Sequence, residues 1–215
     1  MTIDKTDKSV TIERGIIQGT DMNKPGVKDR ILQTALPLFA ASGFKATGID
    51  RIIAASGVAK ASFYRHFPSK DDLVLACLEG WHVSQFAALK MKVEESDDKS
   101  RPLAVFEVLA GDNGFRGDLL ITALIELGED KAAVTAMVAL ARRQMREWFE
   151  ALLRAADFAD MAEVLSHEWL LLYEGAMIAT VRAPQEHPAR RARAAAERSL
   201  QQIQLKRLLS KTLPQ

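Results

Sequence analysis

The chain has 215 residues, of which 48% are hydrophobic and 27% charged, with a formal net charge of +1. That length allows one or two domains with a core of ordinary size. No apolar run approaches the ~20 residues of a spanning helix, and the opening MTIDKTDKSVTIERG lacks the apolar centre of a signal peptide, so no membrane partner is expected. A single cysteine, Cys77, excludes an internal disulfide and a multi-thiolate metal site, and the cytoplasm is the expected location.

Residues 1–23 mix Thr, Asp, Lys and Ile without sustained periodicity and read as a flexible N-terminal extension. The helical period begins at Val27, with Ile31, Ala35, Leu38, Phe39 and Ser42 on one face and Gly43 as the stop. Pro37, inside this helix, is expected to bend it. A short second helix follows, with Thr47 and Asp50 spaced as a capping pair, Ile49, Ile52 and Ile53 turned inward, and Gly57 at its end. Val58 to Phe67 forms a third helix stopped by Pro68. Ser69 and Asp72 repeat the capping spacing and start a fourth that carries Leu73, Val74, Cys77, Leu78 and Trp81. Short helices separated by glycine turns and followed by a long one make a helix-turn-helix unit. Beyond residue 90 every periodic segment is helical, with helices expected near 101–111, 117–128, 130–156, 159–183 and 187–210. The fold class is therefore all-α. An N-terminal three-helix helix-turn-helix domain over 24–75 precedes a helical bundle over 76–215.

Charge divides unevenly between these parts. Residues 24–75 hold eight Lys or Arg against four Asp, a local +4 that leaves −3 for the remainder, so a polyanion partner is expected to meet the front. In the third helix Val58, Phe63 and Phe67 can face the core, which leaves Lys60, Ala61, Ser62, Tyr64, Arg65 and His66 facing outward or sideways. Lys60 and Arg65 can donate to guanine acceptors or phosphates, Ser62 can reach either, and Ala61 permits close approach or contact with a thymine methyl. Tyr64 and His66 suit phosphate oxygens. Lys70, in the first turn of the fourth helix, and Lys45 with Thr47 ahead of the second, are further candidates for phosphate.

This segment resembles the DNA-binding domain of the tetracycline-repressor (TetR/AcrR) family of bacterial regulators. The matching residues are Gly43-Phe44, Thr47, Ile52, Gly57-Val58, Lys60, Tyr64, His66-Phe67 and Ser69-Lys70-Asp71-Asp72-Leu73. The later part resembles one branch of the family through GFRG at 114–117 and two long closing helices. Ala59 stands where the family often has a serine cap, Gly48 replaces a frequent second hydroxyl, and Ile53 fills a position often held by alanine. The resemblance implies a homodimer on a near-palindromic double-stranded DNA operator and a small-molecule effector; no Gly-rich phosphate loop, nucleophile elbow or Cys/His pair suggests catalysis, so no enzymatic activity and no cofactor are expected.

The rear half carries the aromatic and methionine inventory such a pocket needs. Phe86, Phe106, Phe115, Trp148, Trp169 and Tyr173 are candidate apolar walls, although residues of this kind at helical spacing also build plain cores. Thr122, Glu126, His167 and Glu174 are polar residues inside apolar runs, where burial without a partner is costly. HEWLL at 167–171 lacks the second histidine of a zinc-protease helix, so no metal site is expected there. Small residues on the last two helices, Gly175, Ala176 and Ala179 with Ala189, Ala192, Ala196, Ser199 and Ile203, could form a dimer seam or an internal one. The expected function is a DNA-binding transcriptional regulator, a repressor released by a small hydrophobic effector. The alternatives are an effector-independent dimeric DNA-binding protein and a helical enzyme.

Overall fold

The computed structural model describes residues 25–97, 100–111 and 118–212, so residues 1–23, Phe115 and the GFRG stretch lie outside the described residues. The described residues form helices α1 (Val27–Ser42), α2 (Ile49–Ser56), α3 (Lys60–His66), α4 (Lys70–Glu94), α5 (Arg101–Gly111), α6 (Leu119–Leu127), α7 (Ala132–Ala155), α8 (Ala162–Arg182) and α9 (Pro188–Thr212), with one 3-10 turn, Pro184–Glu186. The architecture is all-helical, as periodicity alone predicts.

Local chemistry explains the boundaries. Gly43 ends α1 at φ +81°, and Gly57 ends α2 in the left-handed region at φ +62°, positions where a side chain would strain the backbone. The expected box at the start of α4 is complete: Asp72 N donates to Ser69 Oγ at 3.2 Å and Ser69 N to Asp72 Oδ2 at 3.0 Å. The expected Thr47–Asp50 pair does not form. Gly48 is the N-cap of α2, with no side-chain cap bond, because the fully buried Thr47 donates its hydroxyl back to Gly43 O at 2.7 Å and Leu38 O at 3.3 Å. It satisfies carbonyls at the end of α1 that would otherwise lack donors. Ala59 caps α3 without a side-chain bond, as its chemistry requires.

Two apolar cores share α4. The front core joins Ile31, Ala35 and Phe39 of α1, Ile52 of α2, Val58, Phe63 and Phe67 around α3, and Leu73, Val74, Cys77 and Leu78 of α4. It continues into α6 and the first half of α7 through Leu119, Leu120, Ala123, Val134 and Val138. The rear core takes Leu89 and Val93 from the far end of α4 and packs them with α5, α7, α8 and α9 around Phe106, Phe149 and Trp169. Burial pushes the Cys77 thiol up to about 12, which leaves it a core hydrophobe. Ala176, Ala189, Ala192 and Ala196 belong to this rear core, so that part of the small seam closes α8 on α9 within one chain, while Gly175 stays exposed.

Candidate nucleic-acid interface and cavity

α3 has only seven residues, too few to persist unsupported, so its geometry comes from what lies behind it. Phe63 is fully buried, and Val58 and Phe67 are nearly so. From α1, Arg30 donates to Ser56 O at 2.8 Å and Gly57 O at 3.2 Å, tying down the turn between α2 and α3. The sequence does not show this role, because an arginine on an amphipathic helix carries no mark of a distant carbonyl partner.

The remaining α3 side chains form one outward face. Lys60, Ala61, Tyr64, Arg65 and His66 are exposed and Ser62 is half-buried. Arg65 donates to Ser62 Oγ at 2.9 Å, and Lys60 sits 3.5 Å from Asp50 of α2 in a pair open to solvent. Solvent-exposed pairs of this kind hold their partners weakly, by about 0–1 kcal/mol, so a phosphate can replace either acid or hydroxyl at little cost. Tyr64 packs edge-on against Phe63, with centroids 5.4 Å apart, which orients its ring from below.

The other predicted DNA-facing residues are placed differently. Thr47 is buried and its hydroxyl already donates inward, which corrects its assignment as a phosphate contact. Lys70 turns back across the α1–α2 turn and donates to Lys45 O at 3.3 Å, and partial burial lowers its affinity for a proton. The Lys45 ammonium lies 3.8 Å from Asp130, and its backbone N–H donates to Glu126 Oε2 at 2.8 Å. Glu126 was expected in an effector pocket. It instead reaches from the end of α6 to the front domain, where a side chain on Gly43 would begin 2.5 Å from its Oε1. Lys131 adds a second tie by pairing with Asp71 of α4 at 2.7 Å.

Behind this junction lies a cavity of about 330 Å3 between α4, α5, α6, α7 and α8. Trp81, His82 and Phe86 line it from α4, Ile121 and Leu124 from α6, Arg142 and Met145 from α7, and Tyr173, Glu174 and Met177 from α8. Of the predicted pocket residues, Phe86 and Tyr173 stand on the wall. Trp148 buttresses Phe86 edge-on at 5.4 Å. Phe106 and Trp169 are fully buried one layer deeper, meeting each other edge-on with Phe106 also against Tyr173 and Trp169 against Phe149, and Trp169 Nε1 donates to Ser199 Oγ at 3.2 Å. Their assignment to the pocket is corrected to the rear core. Thr122 returns its hydroxyl to Asp118 O at 3.0 Å, as a helical threonine often does, and is not on the wall. His167 is exposed.

The cavity's polar groups are closely coupled. Asp118 caps α6, its Oδ1 accepting from Leu120 N at 2.7 Å and Ile121 N at 3.4 Å, yet burial holds its proton affinity above the usual carboxylate range. Glu174 is raised likewise by burial, although it pairs with Arg142 at 2.9 Å, and the Tyr173 phenol is pushed up by burial and by Asp118. His82 Nε2 lies 2.7 Å from Gln144 Oε1. Asp118, Arg142 and His82 had given no sign in the sequence, since each needs the packing of several helices to become part of a wall.

A propped, cation-bearing short helix joined by one long helix to a hollow bundle defines a regulator architecture, and the comparisons agree. Residues 31–77 match the model of the bacterial regulatory proteins of the tetR family. The uncharacterized HTH-type regulator YerO of Bacillus subtilis is 40% identical over 75 residues, which cover 35% of this chain and 25% of YerO. The HTH-type regulator TcmR of Streptomyces glaucescens is 32% identical over 65 residues, covering 30% of this chain and 29% of TcmR. The chain thus spans only about a quarter of the length of these curated relatives. A TetR-family transcriptional regulator from Streptomyces coelicolor superposes with a TM-score of 0.74 at 28% identity, over 82% of this chain and 95% of that one. A regulator from Saccharomonospora viridis solved with choline shares the fold, with a TM-score of 0.68 at 19% identity over 81% and 95% of the two chains. Residues 31–77 thus match the tetR-family DNA-binding segment, and the whole chain is similar in fold to TetR-family transcriptional regulators.

Proposed function

We propose that this protein is a transcriptional repressor that binds a near-palindromic operator as a homodimer and leaves it when a small molecule fills the rear cavity. The observation that carries the reading is the outward α3 face of Lys60, Tyr64, Arg65 and His66 set on a buried Phe63. In a helix-turn-helix such a face lies in the major groove, cations and hydroxyls reach base edges and phosphates, and two copies read half-sites about one DNA turn apart.

Support for pairing comes from α8. Val164, Leu171 and Ile178 recur every seven residues and are all exposed, with the exposed Gly175 between the last two. A Cβ built on Gly175 meets nothing within 4 Å, so a second helix can approach closely there. Leu205, Leu208 and Leu209 extend an exposed apolar surface along the end of α9. Two self-complementary patches of this kind suit a two-fold interface.

Release follows from the junction. A ligand in the cavity bears on Trp81 and Phe86 of α4, which runs on into the front domain, and on Ile121 and Leu124 of α6, which reaches the front domain where Glu126 accepts from Lys45 N. Only a ligand that fits one arrangement of these helices better than the other shifts the balance. The Saccharomonospora viridis regulator of this fold is in complex with choline, which supports the small-molecule part of the reading. A gel-shift assay on the DNA upstream of its own gene tests the reading. It is expected to show retention of that fragment against excess random DNA, with two chains per site, and any compound that tightens on the free protein weakens DNA binding by the same factor. Equal retention of random DNA would contradict it.

A further inference from the structure

This inference rests on the ligand-responsive reading above and names the ligand's chemistry. Among the described residues, the charges on the cavity wall around Asp118 do not balance. Two carboxylates, Asp118 and Glu174, stand on the same cavity wall, and Arg142 neutralises one of them by pairing with Glu174 at 2.9 Å. Among the described residues, Asp118 is helped by two backbone amides and by the His82 ring, and by no lysine or arginine. The other wall cation, Lys92, stands ten residues beyond His82 on α4, about 15 Å along the helix at 1.5 Å per residue. A half-buried anion left in this state is costly, and a cation brought to it recovers that cost.

We propose that the cavity selects an apolar, ring-bearing molecule carrying one positively charged nitrogen, and that Asp118 and Glu174 hold that nitrogen at the cavity's polar end. The apolar body then lies against Trp81, Phe86, Ile121 and Met177. Phe86 does not itself serve as the cation's seat, because Lys90 already lies over its ring, 4.1 Å from the centroid. The nitrogen is therefore placed by carboxylates and the phenol of Tyr173, and the rings set the orientation of the remainder. Anionic ligands are excluded by the same imbalance.

The test compares three probes of similar size on the full-length protein by calorimetric titration and thermal shift: benzyltriethylammonium, its neutral all-carbon isostere, and 4-phenylbutanoate. The cation is expected to bind at least about tenfold more tightly than the neutral isostere, and the anion not at all. Asp118→Asn retains the oxygen that caps α6 and removes the charge, so it should weaken the cation about tenfold or more while changing the neutral probe by less than about threefold. Should that variant fold poorly, Glu174→Gln is read by the same criterion, since it leaves Arg142 uncompensated in the wall. Equal binding of cation and isostere, tighter binding of the anion, or a charge-independent Asp118→Asn overturns the proposal and leaves a ligand-responsive regulator intact. If none of the three binds, the proposal falls too, and the ligand-responsive reading is judged separately, by whether any compound that binds the free protein weakens DNA retention in the gel-shift.

Discussion

Placing glutamate at Val164 and Leu171 is expected to turn the protein into monomers that fold normally and no longer hold an operator. Both side chains are exposed in the single chain, at 52% and 66%. Their replacement therefore removes little from either core, and the melting temperature of the isolated chain should change only slightly. In a two-fold pair each position counts twice, and burying an aliphatic side chain of this size contributes about 1.5–3 kcal/mol, so a pair that loses four such contacts and gains four unpaired carboxylates cannot persist at micromolar concentration. A single α3 face then meets a single half-site, and affinity for the full operator should fall by more than about a hundredfold. Sedimentation and gel-shift measured on the same sample check both halves. A double variant that remains dimeric would move the pairing surface elsewhere.

Phe63→Ala carries the second large effect, and it acts on the fold first. Phe63 is fully buried, touches Phe67 and Tyr64, and is the principal prop of a seven-residue helix. Truncating a buried phenylalanine costs about 3–5 kcal/mol, a large share of the roughly 5–15 kcal/mol that holds a domain of this kind together. The rear core, built around Phe106, Phe149 and Trp169, does not include it. Urea unfolding should therefore show an early transition for the front domain with the rear transition little displaced, and operator binding should vanish before either. Unchanged unfolding together with wild-type DNA affinity would show that α3 is held by something other than its aromatic underside.

How much of this was readable in the sequence depended on how local each determinant is. The Ser69–Asp72 box, the stops at Gly43 and Gly57, and the inward Val58, Phe63 and Phe67 are settled within a few residues of chain, and they stand where spacing puts them. Thr47 was misread because a hydroxyl before a helix can cap forward or bond backward. The free carbonyls of α1 decide between these, and they are nine and four residues away. Glu126 looked like a pocket residue because it interrupts an apolar run. Its partner is an amide 81 positions earlier, which no periodicity encodes. Phe106 and Trp169 have the composition of a pocket wall and the burial of a core, and only the packing of α5 against α8 and α9 separates the two. The charge imbalance at Asp118 is likewise a property of five helices meeting.

The central claim is that the outer edge of α3 lies against a duplex, and fluorescence anisotropy on the upstream DNA across a range of salt tests it most directly. Lys60→Ala and Tyr64→Ala, both at exposed positions, should each weaken binding by about 1–3 kcal/mol, roughly 5- to 150-fold, with thermal stability retained, and Lys60→Ala should lessen the salt dependence by about one counterion. A double variant with wild-type affinity and wild-type salt slope would contradict the account.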